Sequence, residues 1–350
     1  MTMTPWIFLR YLLIPVAIVT GSLLGEGWNF IVPVFCFVID PLLGLLKRTE
    51  KQPHKDEHAA YPSVTYRMVA LSFAPVLLAT TVWVVYHISH TTLSVISITG
   101  LILSTGIMNG IIGFTLAHEF IHRQNTIDKI AGHLLLLQNN YLHYSIEHIS
   151  GHHLYACTSK DPHTARINES FYSFLPRTIT STFINAWKIE CNRLIKKKHN
   201  LIGLRNRMPV FVLLHVVILI TTLLIAGWLA VVFLLLQSFI AIGLLHATNY
   251  LQHYGLLRQQ TIPGHFEKVN SHHAWNSPKG KKGLTLFQLE NHADHHMHPN
   301  RSYEQLLQHD DSPALPTGYS GMIWLALLPP LWFRIMNKRI VLFTTQNNKI

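Results

Sequence analysis

Long apolar runs alternate with polar segments along this chain. A helix needs about 20 apolar residues to cross the hydrocarbon core of a bilayer, and six runs come close to that length or exceed it. These predicted spans, which contain few or no charged residues, cover residues 6–24, 28–46, 68–86, 93–117, 209–227 and 228–250. The last two adjoin, and Gly227 followed by Trp228 is typical of a hairpin tip. The pattern predicts an all-α integral membrane protein with six transmembrane helices in three hairpins.

The polar segments fall into two sets that differ in charge. Residues 47–67 carry five Lys and Arg residues, residues 118–208 carry twelve and residues 251–350 carry ten, whereas the short connections on the other side carry none. Positively charged loops stay in the cytoplasm. We therefore expect a single domain, residues 1–350, in the cell inner (cytoplasmic) membrane. Both termini should lie on the cytoplasmic side, where the segments 118–208 and 251–350 should form a helical cap that carries a histidine-rich site.

Composition agrees with a membrane protein and argues against other classes. Apolar residues make up 49% of the chain and charged residues only 13%, against about 25% charged residues in soluble domains. The net charge of +11 follows from the cytoplasmic loops, so it does not indicate a nucleic-acid partner. The three cysteines, Cys36, Cys157 and Cys191, form no CxxC pair. Neither a disulfide framework nor a thiolate metal site is therefore predicted.

Many of the 24 histidines lie where the predicted spans meet the cytoplasm. Nine of them form four clusters: His118 and His122; His148, His152 and His153; His253; and His292, His295 and His296. Residues four apart lie on one helix face, so both imidazoles of the first cluster, which reads HEFIH, can point at one metal. One zinc site uses three or four ligands, so nine histidines predict two metal ions. Imidazole ligation without thiolate suits iron, copper, zinc or nickel, and the residues alone leave the metal open.

Longer motifs carry a family resemblance. Asn249–Gly255 reads NYLQHYG, and Gly151–Arg166 reads GHHLYACTSKDPHTAR. Three further motifs follow in order: HHAWNS at His272–Ser277, HADHHMHPNRSYEQL at His292–Leu306, and LPTGYSGM from Leu315. Over residues 115–340 the chain resembles the alkane 1-monooxygenases. These are membrane-bound non-haem di-iron hydroxylases of the fatty acid desaturase/hydroxylase superfamily, which is marked by histidine boxes.

The resemblance implies a cofactor, a reaction and partners. The nine histidines would be the catalytic residues and would ligate two non-haem iron ions. With O2 as co-substrate, the enzyme would hydroxylate the terminal methyl group of alkanes or similar apolar substrates. Electrons would come from a rubredoxin and its NAD(P)H-dependent reductase. The chain has no rubredoxin-like pair of CxxC motifs, so this donor would be a separate protein. Membrane lipids and an apolar small molecule are the other expected partners.

The chain departs from the family pattern at two places. The second box has Ser159-Lys160 where a Pro-Glu pair is usual. The fourth box reads ENHADHH, where the family more often has Arg before the first histidine and Ser before the aspartate. These departures leave the histidines intact, so they bear on the substrate rather than on iron binding.

Four carboxylates lie beside the histidine clusters. A metal-bound histidine usually donates its second N–H to a carboxylate or a carbonyl. The candidates for this role are Asp294, Glu119, Glu147 and Asp161. Asp294 is preferred because it stands between two predicted ligands, His292 and His295.

Other readings of the same residues stay open at this point. A fatty acid desaturase/hydroxylase or an alkyl-aromatic, xylene-type monooxygenase would use a similar site, although NYLQHYG argues against a desaturase. A zinc protease would use His118 and His122 of the HExxH sequence, but it would leave seven histidines unexplained. A metal transporter would place its ligands inside the spans, whereas these clusters lie beyond the predicted helix ends.

Overall fold

The computed structural model describes residues 4–46, 63–278 and 287–347, and this part of the chain is mostly helical, with one pair of short strands. Six of its helices are long and apolar enough to cross a membrane: Pro5–Leu24, Glu26–Gly44, Ser63–His90, Val95–Ile121, Arg207–Ala226 and Trp228–His253. This confirms the predicted all-α membrane fold. The fourth and sixth spans run past their predicted ends at residues 117 and 250. His118 and His253 therefore lie on the last turns of membrane helices.

Several spans are assembled from more than one helical segment. The segments of the six spans are Pro5–Leu12 (3₁₀), Leu13–Leu24, Glu26–Phe30 (3₁₀), Ile31–Val34, Phe35–Ile39 (π), Asp40–Leu46, Ser63–His90, Val95–Met108, Asn109–Gly113 (π), Phe114–Ile121 and Arg207–His253, the last broken at Gly227. The other helices are Thr126–Leu137, Tyr144–Glu147, His148–His152 (π), His153–Tyr155, Phe171–Lys196, Ser271–His273, His292–Met297, Tyr303–Gln305, Tyr319–Ala326 and Pro329–Asn347. The strands Gln260–Ile262 and His265–Phe266 pair antiparallel.

Glycines end two of the membrane helices. Gly25 has a φ of 76°, and Gly227, at the predicted hairpin tip, has a φ of 82°. Residues with a side chain rarely adopt positive φ, so glycine lets the chain leave one helix and begin the next at once. Beside Gly25, the backbone N–H of Glu26 donates to Ser97 Oγ at 2.8 Å, and Ser94 Oγ donates to the Glu26 carboxylate at 3.0 Å. These bonds join the tips of the first two hairpins.

The fourth and sixth spans approach closely at two other glycines. A Cβ atom on Gly106 would lie 2.7 Å from the Cβ of Ile240, and one on Gly110 would lie 2.9 Å from the Cβ of Leu244. Small residues let membrane helices pack at short distance. This contact sets the separation of the two helices whose ends carry His118 and His253.

The C-terminal helix Pro329–Asn347 packs against the end of the sixth span. Trp332 is fully buried, and its ring centroid lies 4.9 Å from that of Tyr250. The Tyr254 hydroxyl donates to the side-chain oxygen of Asn337 at 2.9 Å. The C-terminal part of the chain thereby supports the helix end that carries His253.

Candidate metal centre

The nine clustered histidines converge in two buried groups. The five-histidine group contains His118, His122, His148, His153 and His295, and the four-histidine group contains His152, His253, His292 and His296. Within each group, one ligand-capable atom per residue lies within 4.8 Å of the corresponding atoms of all the others. The structure thus brings together all nine residues that the sequence singled out.

The second histidine cluster divides between the groups because its helix is not regular. In an α-helix, residues are about 100° apart around the axis, so residues five apart point in directions that differ by about 140°. The segment His148–His152 is π-helical, with hydrogen bonds from i to i+5. This geometry returns His153 to the side of His148, and both belong to the five-histidine group. His152 points instead into the four-histidine group.

The first and fourth clusters follow ordinary helical spacing. His118 and His122 lie one turn apart on the fourth span and share a group, with ring centroids 5.0 Å apart. On the helix His292–Met297, His292 and His296 are one turn apart and face the four-histidine group. His295 is rotated by about 100° from His296 and reaches the five-histidine group.

The nitrogen atoms within each group face one another at short distance. In the five-histidine group, the Nε2 atom of His148 lies 3.1 Å from that of His122 and 3.0 Å from that of His153. In the four-histidine group, the Nε2 atom of His292 lies 3.1 Å from that of His253 and 2.9 Å from that of His296.

This arrangement is what a bound cation requires. The Nε2 atoms of His118 and His152 are buried and have no hydrogen-bond partner among the described residues. A neutral imidazole with its proton on Nδ1 directs a lone pair from Nε2. Several lone pairs that face one another in a buried space repel unless a cation lies between them. The donor set of each group therefore fits a metal ion that prefers nitrogen ligands, such as iron.

Burial also sets the charge of the imidazoles. It lowers the pKa of His122 to about 4, and the Arg123 cation and His152 add to this effect. Burial and the neighbouring imidazoles likewise lower the pKa of the other group members outside the spans for which a shift is seen: His148, His153, His292, His295 and His296. These side chains are therefore neutral at pH 7, which is the state that binds a metal.

We expect the metal-free protein to lose stability as the pH falls below 6.5. The folded pKa values lie below the ordinary histidine value of 6.5, so the unfolded state binds more protons just below that pH. Each such histidine then lowers the free energy of unfolding by at most about 1.4 kcal/mol per pH unit. The midpoint of thermal unfolding in detergent should be level from pH 8 to 7 and fall below 6.5. Metal-loaded protein should hold its midpoint to lower pH, because bound metal keeps the imidazoles deprotonated. A level profile of the metal-free protein between pH 6.5 and 5 would contradict the expectation.

Among the described residues, one of the four candidate carboxylates hydrogen-bonds to a histidine of the two groups. The Nδ1–H of His152 donates to Asp161 Oδ2 at 3.0 Å. Asp161 also accepts from the Thr164 hydroxyl at 2.7 Å and from the backbone N–H of His163 at 3.1 Å. Burial alone would raise the pKa of Asp161, but the facing imidazoles and the bond from His152 hold it below its usual range. An ionised Asp161 therefore fixes the Nδ1 proton of His152 and leaves Nε2 free for a metal.

Asp294 was preferred as the carboxylate that accepts the second N–H of a metal-bound histidine, and the structure corrects this prediction. Its carboxylate accepts from Arg301 Nη1 at 2.8 and 3.0 Å and from the backbone N–H of Leu307 at 3.0 Å, and it also pairs with His309 Nε2 at 2.8 Å. Residues two apart on a helix point about 200° apart, so Asp294 faces away from the metal side of His292 and His296. It anchors the segment that follows the helix instead.

Within the described part of the chain, the hydrogen bonds of Glu119 and Glu147 likewise go to residues that are not among the nine histidines. Glu119 accepts from the Arg123 guanidinium and from the backbone N–H of Tyr303. Glu147 Oε2 lies 2.7 Å from His163 Nε2. Both carboxylates therefore brace the surrounding structure rather than a metal-facing imidazole.

Sequence reasoning missed two residues beside the centre. Cys157 Sγ lies 3.4 Å from His253 Nδ1, and the thiol donates to the His273 carbonyl at 2.7 Å. His163 Nδ1 accepts from the Asn249 side chain at 2.8 Å. Burial raises the pKa of the Cys157 thiol, so the sulfur keeps its proton. Both residues lie within the motif GHHLYACTSKDPHTAR, but a lone cysteine and a flanking histidine gave no signal of their contacts.

A cavity between the fourth and sixth spans ends at both groups. Its lining residues come mainly from these two spans and from the histidine-bearing segments: Gly110, Phe114, Thr115, His118, Tyr144, His148, Leu245, Thr248, Asn249, Gln252, Leu289 and His292. His118 and His148 belong to the five-histidine group, and His292 belongs to the four-histidine group. Its volume of about 20 Å³ is room for about one water molecule, and a molecule of that size would reach both candidate metal positions.

Comparison with known proteins agrees with this geometry. Residues 91–326 match the family model described as fatty acid desaturase. The chain is 37% identical to alkane 1-monooxygenase 1 of Pseudomonas aeruginosa over 319 residues, which cover 89% of this chain and 83% of that protein. It is 34% identical to alkane 1-monooxygenase of Acinetobacter baylyi, over 90% of this chain and 76% of the relative. The xylene/toluene monooxygenase hydroxylase component of Pseudomonas putida is 27% identical, over 69% of this chain and 64% of the relative.

The resemblance seen in the motifs thus extends over most of the chain. Its identity to the alkane 1-monooxygenases exceeds 30% over about nine tenths of its residues. The matched region of the desaturase model contains all nine histidines. The chain belongs to the alkane 1-monooxygenase family of multi-pass membrane proteins, within the wider fatty acid desaturase family.

Proposed function

We propose that this protein is a membrane-bound non-haem di-iron monooxygenase that hydroxylates the terminal methyl group of alkanes or similar apolar substrates. Each histidine group would hold one iron ion. The observation that carries the proposal is the pair of histidine groups, which surround two neighbouring candidate metal positions with five and four imidazoles. The names of the relatives, alkane 1-monooxygenase, support the reaction.

The chain itself would bind and orient the substrate. Iron in the two groups would supply the activation of dioxygen and the oxidation of a C–H bond. One oxygen atom would enter that bond and the other would leave as water, with a pair of electrons and a pair of protons consumed. An alkane has no polar handle, so the walls of the cavity must select it by shape. Phe114, Leu245 and Leu289 give the small cavity beside the groups apolar walls, which would receive the end of an alkyl chain once neighbouring side chains move to enlarge the space.

Electrons would enter from the cytoplasmic side. Both termini and the histidine groups would face the cytoplasm, because the basic loops flank the groups and such loops stay inside. His122 and His153 of the five-histidine group are only half-buried, whereas all members of the four-histidine group are buried. The five-histidine group is thus the nearer to the surface. A separate rubredoxin, reduced by its NAD(P)H-dependent reductase, would deliver electrons there.

The experiment that tests the proposal combines product and metal analysis. Membranes that contain the full chain would receive rubredoxin, its reductase, NADH and a medium-chain alkane, and products would be separated by gas chromatography. Iron would be measured in the purified protein. The variant His265→Ala serves as a control, because His265 is exposed on the short strand pair and lies outside both groups.

Each outcome of this experiment has a definite meaning. A 1-alkanol, together with two iron ions per chain, supports the proposal. Two iron ions without an alkanol would move the substrate to fatty acyl chains or alkyl aromatics, and the relative named xylene/toluene monooxygenase makes the second the next to try. An alkene in place of an alcohol would indicate a desaturase. A protein that binds no iron would refute the proposal.

The small size of the cavity should limit how far an alkyl chain can extend past the histidine groups. Leu245 lines the cavity about two turns before His253 on the sixth span. Leu245→Ala would extend the space, and each substrate methylene that becomes buried is worth about 0.8 kcal/mol, or about fourfold in kcat/KM. We expect the preferred alkane to lengthen, as measured by kcat/KM across an alkane series. Leu236→Ala, at an exposed position of the same span, should leave the preference unchanged. An unchanged preference in Leu245→Ala would contradict the role of this cavity.

A further inference from the structure

Cys157 lies where three motif segments meet. The residue is completely buried and belongs to the segment that follows the second histidine cluster. Its sulfur lies 3.4 Å from Nδ1 of His253, which belongs to NYLQHYG. It lies 2.7 Å from the carbonyl oxygen of His273, which belongs to HHAWNS. The thiol therefore connects a histidine of the four-histidine group to two neighbouring loops.

The two hydrogen bonds of the Cys157 sulfur can be assigned so that each has one donor and one acceptor. The thiol donates its proton to the His273 carbonyl, so the sulfur is left to accept the Nδ1–H of His253. With its proton on Nδ1, His253 presents the lone pair of Nε2. That Nε2 atom faces the Nε2 of His292 at 3.1 Å, on the side where a metal would bind.

The backbone of Cys157 is held in a conformation that directs the sulfur toward His253. Its φ of 58° lies in the left-handed region, which residues with a side chain rarely adopt. Two bonds hold it there: its N–H donates to Thr164 Oγ1 at 2.9 Å, and its carbonyl accepts from the Arg258 N–H at 2.7 Å. Strain of this kind persists where the surrounding structure over-determines it. The same loop carries Asp161, which holds His152, so two histidines of the four-histidine group depend on it.

We propose that Cys157 is a positioning residue that fixes the tautomer and the ring orientation of His253, so that Nε2 is presented to the metal of the four-histidine group. The inference rests on the proposed function, because it requires a metal in that group. A thiol is an unusual partner for this task, since carboxylates and carbonyls are the common ones. Cys157 does not ligate the metal in this arrangement.

The test compares serine with alanine at this position. Cys157→Ser replaces the thiol with a hydroxyl that can accept from Nδ1 and donate to the carbonyl, whereas Cys157→Ala removes both functions. The two side chains are similarly small, so they leave a similar void. Cys36→Ala is the control for the loss of a buried thiol, because Cys36 is buried on the second span outside both groups. Full-length protein of each variant would be loaded with ⁵⁷Fe and studied by chelator competition, Mössbauer spectroscopy and thermal unfolding.

We expect Cys157→Ala to bind one of its two iron ions at least about tenfold more weakly, as is usual when an outer partner of a ligating histidine is lost. One quadrupole doublet should change while the other stays as in wild type. Cys157→Ser should restore most of the affinity and the wild-type spectrum, and Cys36→Ala should match wild type.

Three results would overturn the inference while leaving the proposed function intact. The first is Cys157→Ala protein with unchanged affinity and an unchanged spectrum. The second is an equal loss in the serine and alanine variants. The third is a parallel loss of both iron ions together with a lower unfolding temperature, which would indicate a role in packing alone. Wild-type protein that binds no iron would instead refute the proposed function, and this inference with it.

Discussion

His152→Ala is expected to leave one iron ion per chain instead of two and to lower hydroxylation below about 1% of the wild-type rate. Loss of an outer hydrogen-bond partner already costs about 10- to 100-fold in metal affinity or activity, and loss of the ligand itself should cost more. The four-histidine group would keep three imidazoles, while the five-histidine group would stay complete. Iron content, Mössbauer spectra and alkanol formation measure the result.

The neighbouring residue provides the sharpest comparison. His153→Ala removes an imidazole from the five-histidine group instead, so it should weaken the other iron ion and change the other quadrupole doublet. Both variants remove one imidazole from the same short helical stretch, and His265→Ala removes one that lies outside both groups. If His152→Ala and His153→Ala disturb the same doublet, the division into five and four histidines is incorrect.

Asp161→Asn is expected to weaken iron binding about 10- to 100-fold at the four-histidine group. An asparagine oxygen can still accept the Nδ1–H of His152, but it carries no negative charge. The imidazole then loses the electrostatic support that makes it a stronger donor to a metal. Chelator competition on the purified protein measures the affinity, and alkanol formation measures the effect on activity.

The control for this variant is a carboxylate away from the centre. Asp311 accepts from the Ser271 hydroxyl and has a largely exposed side chain, so Asp311→Asn should leave iron binding unchanged. Wild-type affinity in Asp161→Asn would show that the charge of this residue does not support the metal. A fall in unfolding temperature with normal iron affinity would assign Asp161 to folding alone.

Hydrophobic patterning was enough to identify the membrane helices. A span must satisfy its backbone hydrogen bonds internally and needs a long apolar surface, and both requirements can be read from consecutive residues. The ends of the spans were harder to predict from the sequence. The structure continues the fourth span to Ile121 and the sixth to His253, because polar residues at a helix end can remain helical when tertiary contacts bury them. His118 and His253 are such residues, each buried within its group.

The nine histidines could also be named from the sequence, since their spacing and motifs are local properties of the chain. Their division between two groups could not. An α-helical reading of the second cluster puts His148 and His152 on one face. The structure places a π-helical turn there and pairs His148 with His153 instead. Whether a helical turn includes one additional residue depends on how the segment packs against its neighbours. The spacing of the histidines in the sequence does not reveal this packing.

The partners of the histidine nitrogens that face away from the metal, and the position of the cavity, depended most on tertiary structure. Asp294 was preferred because it stands between two histidines in the sequence, but neighbours on a helix point in different directions, and Asp161 is the carboxylate that holds His152. The contact of Cys157 with His253 joins residues 96 positions apart, and the cavity arises only where the fourth and sixth spans meet.

The sequence by itself determined the class of protein, the family and the identity of the histidines, because apolar length, residue type and motif are properties of neighbouring positions. The tertiary structure decided which histidines share a group, which residues hold their second nitrogen and where a substrate could lie. These features follow from the directions of side chains on separate helices, and packing fixes those directions only when the helices come together.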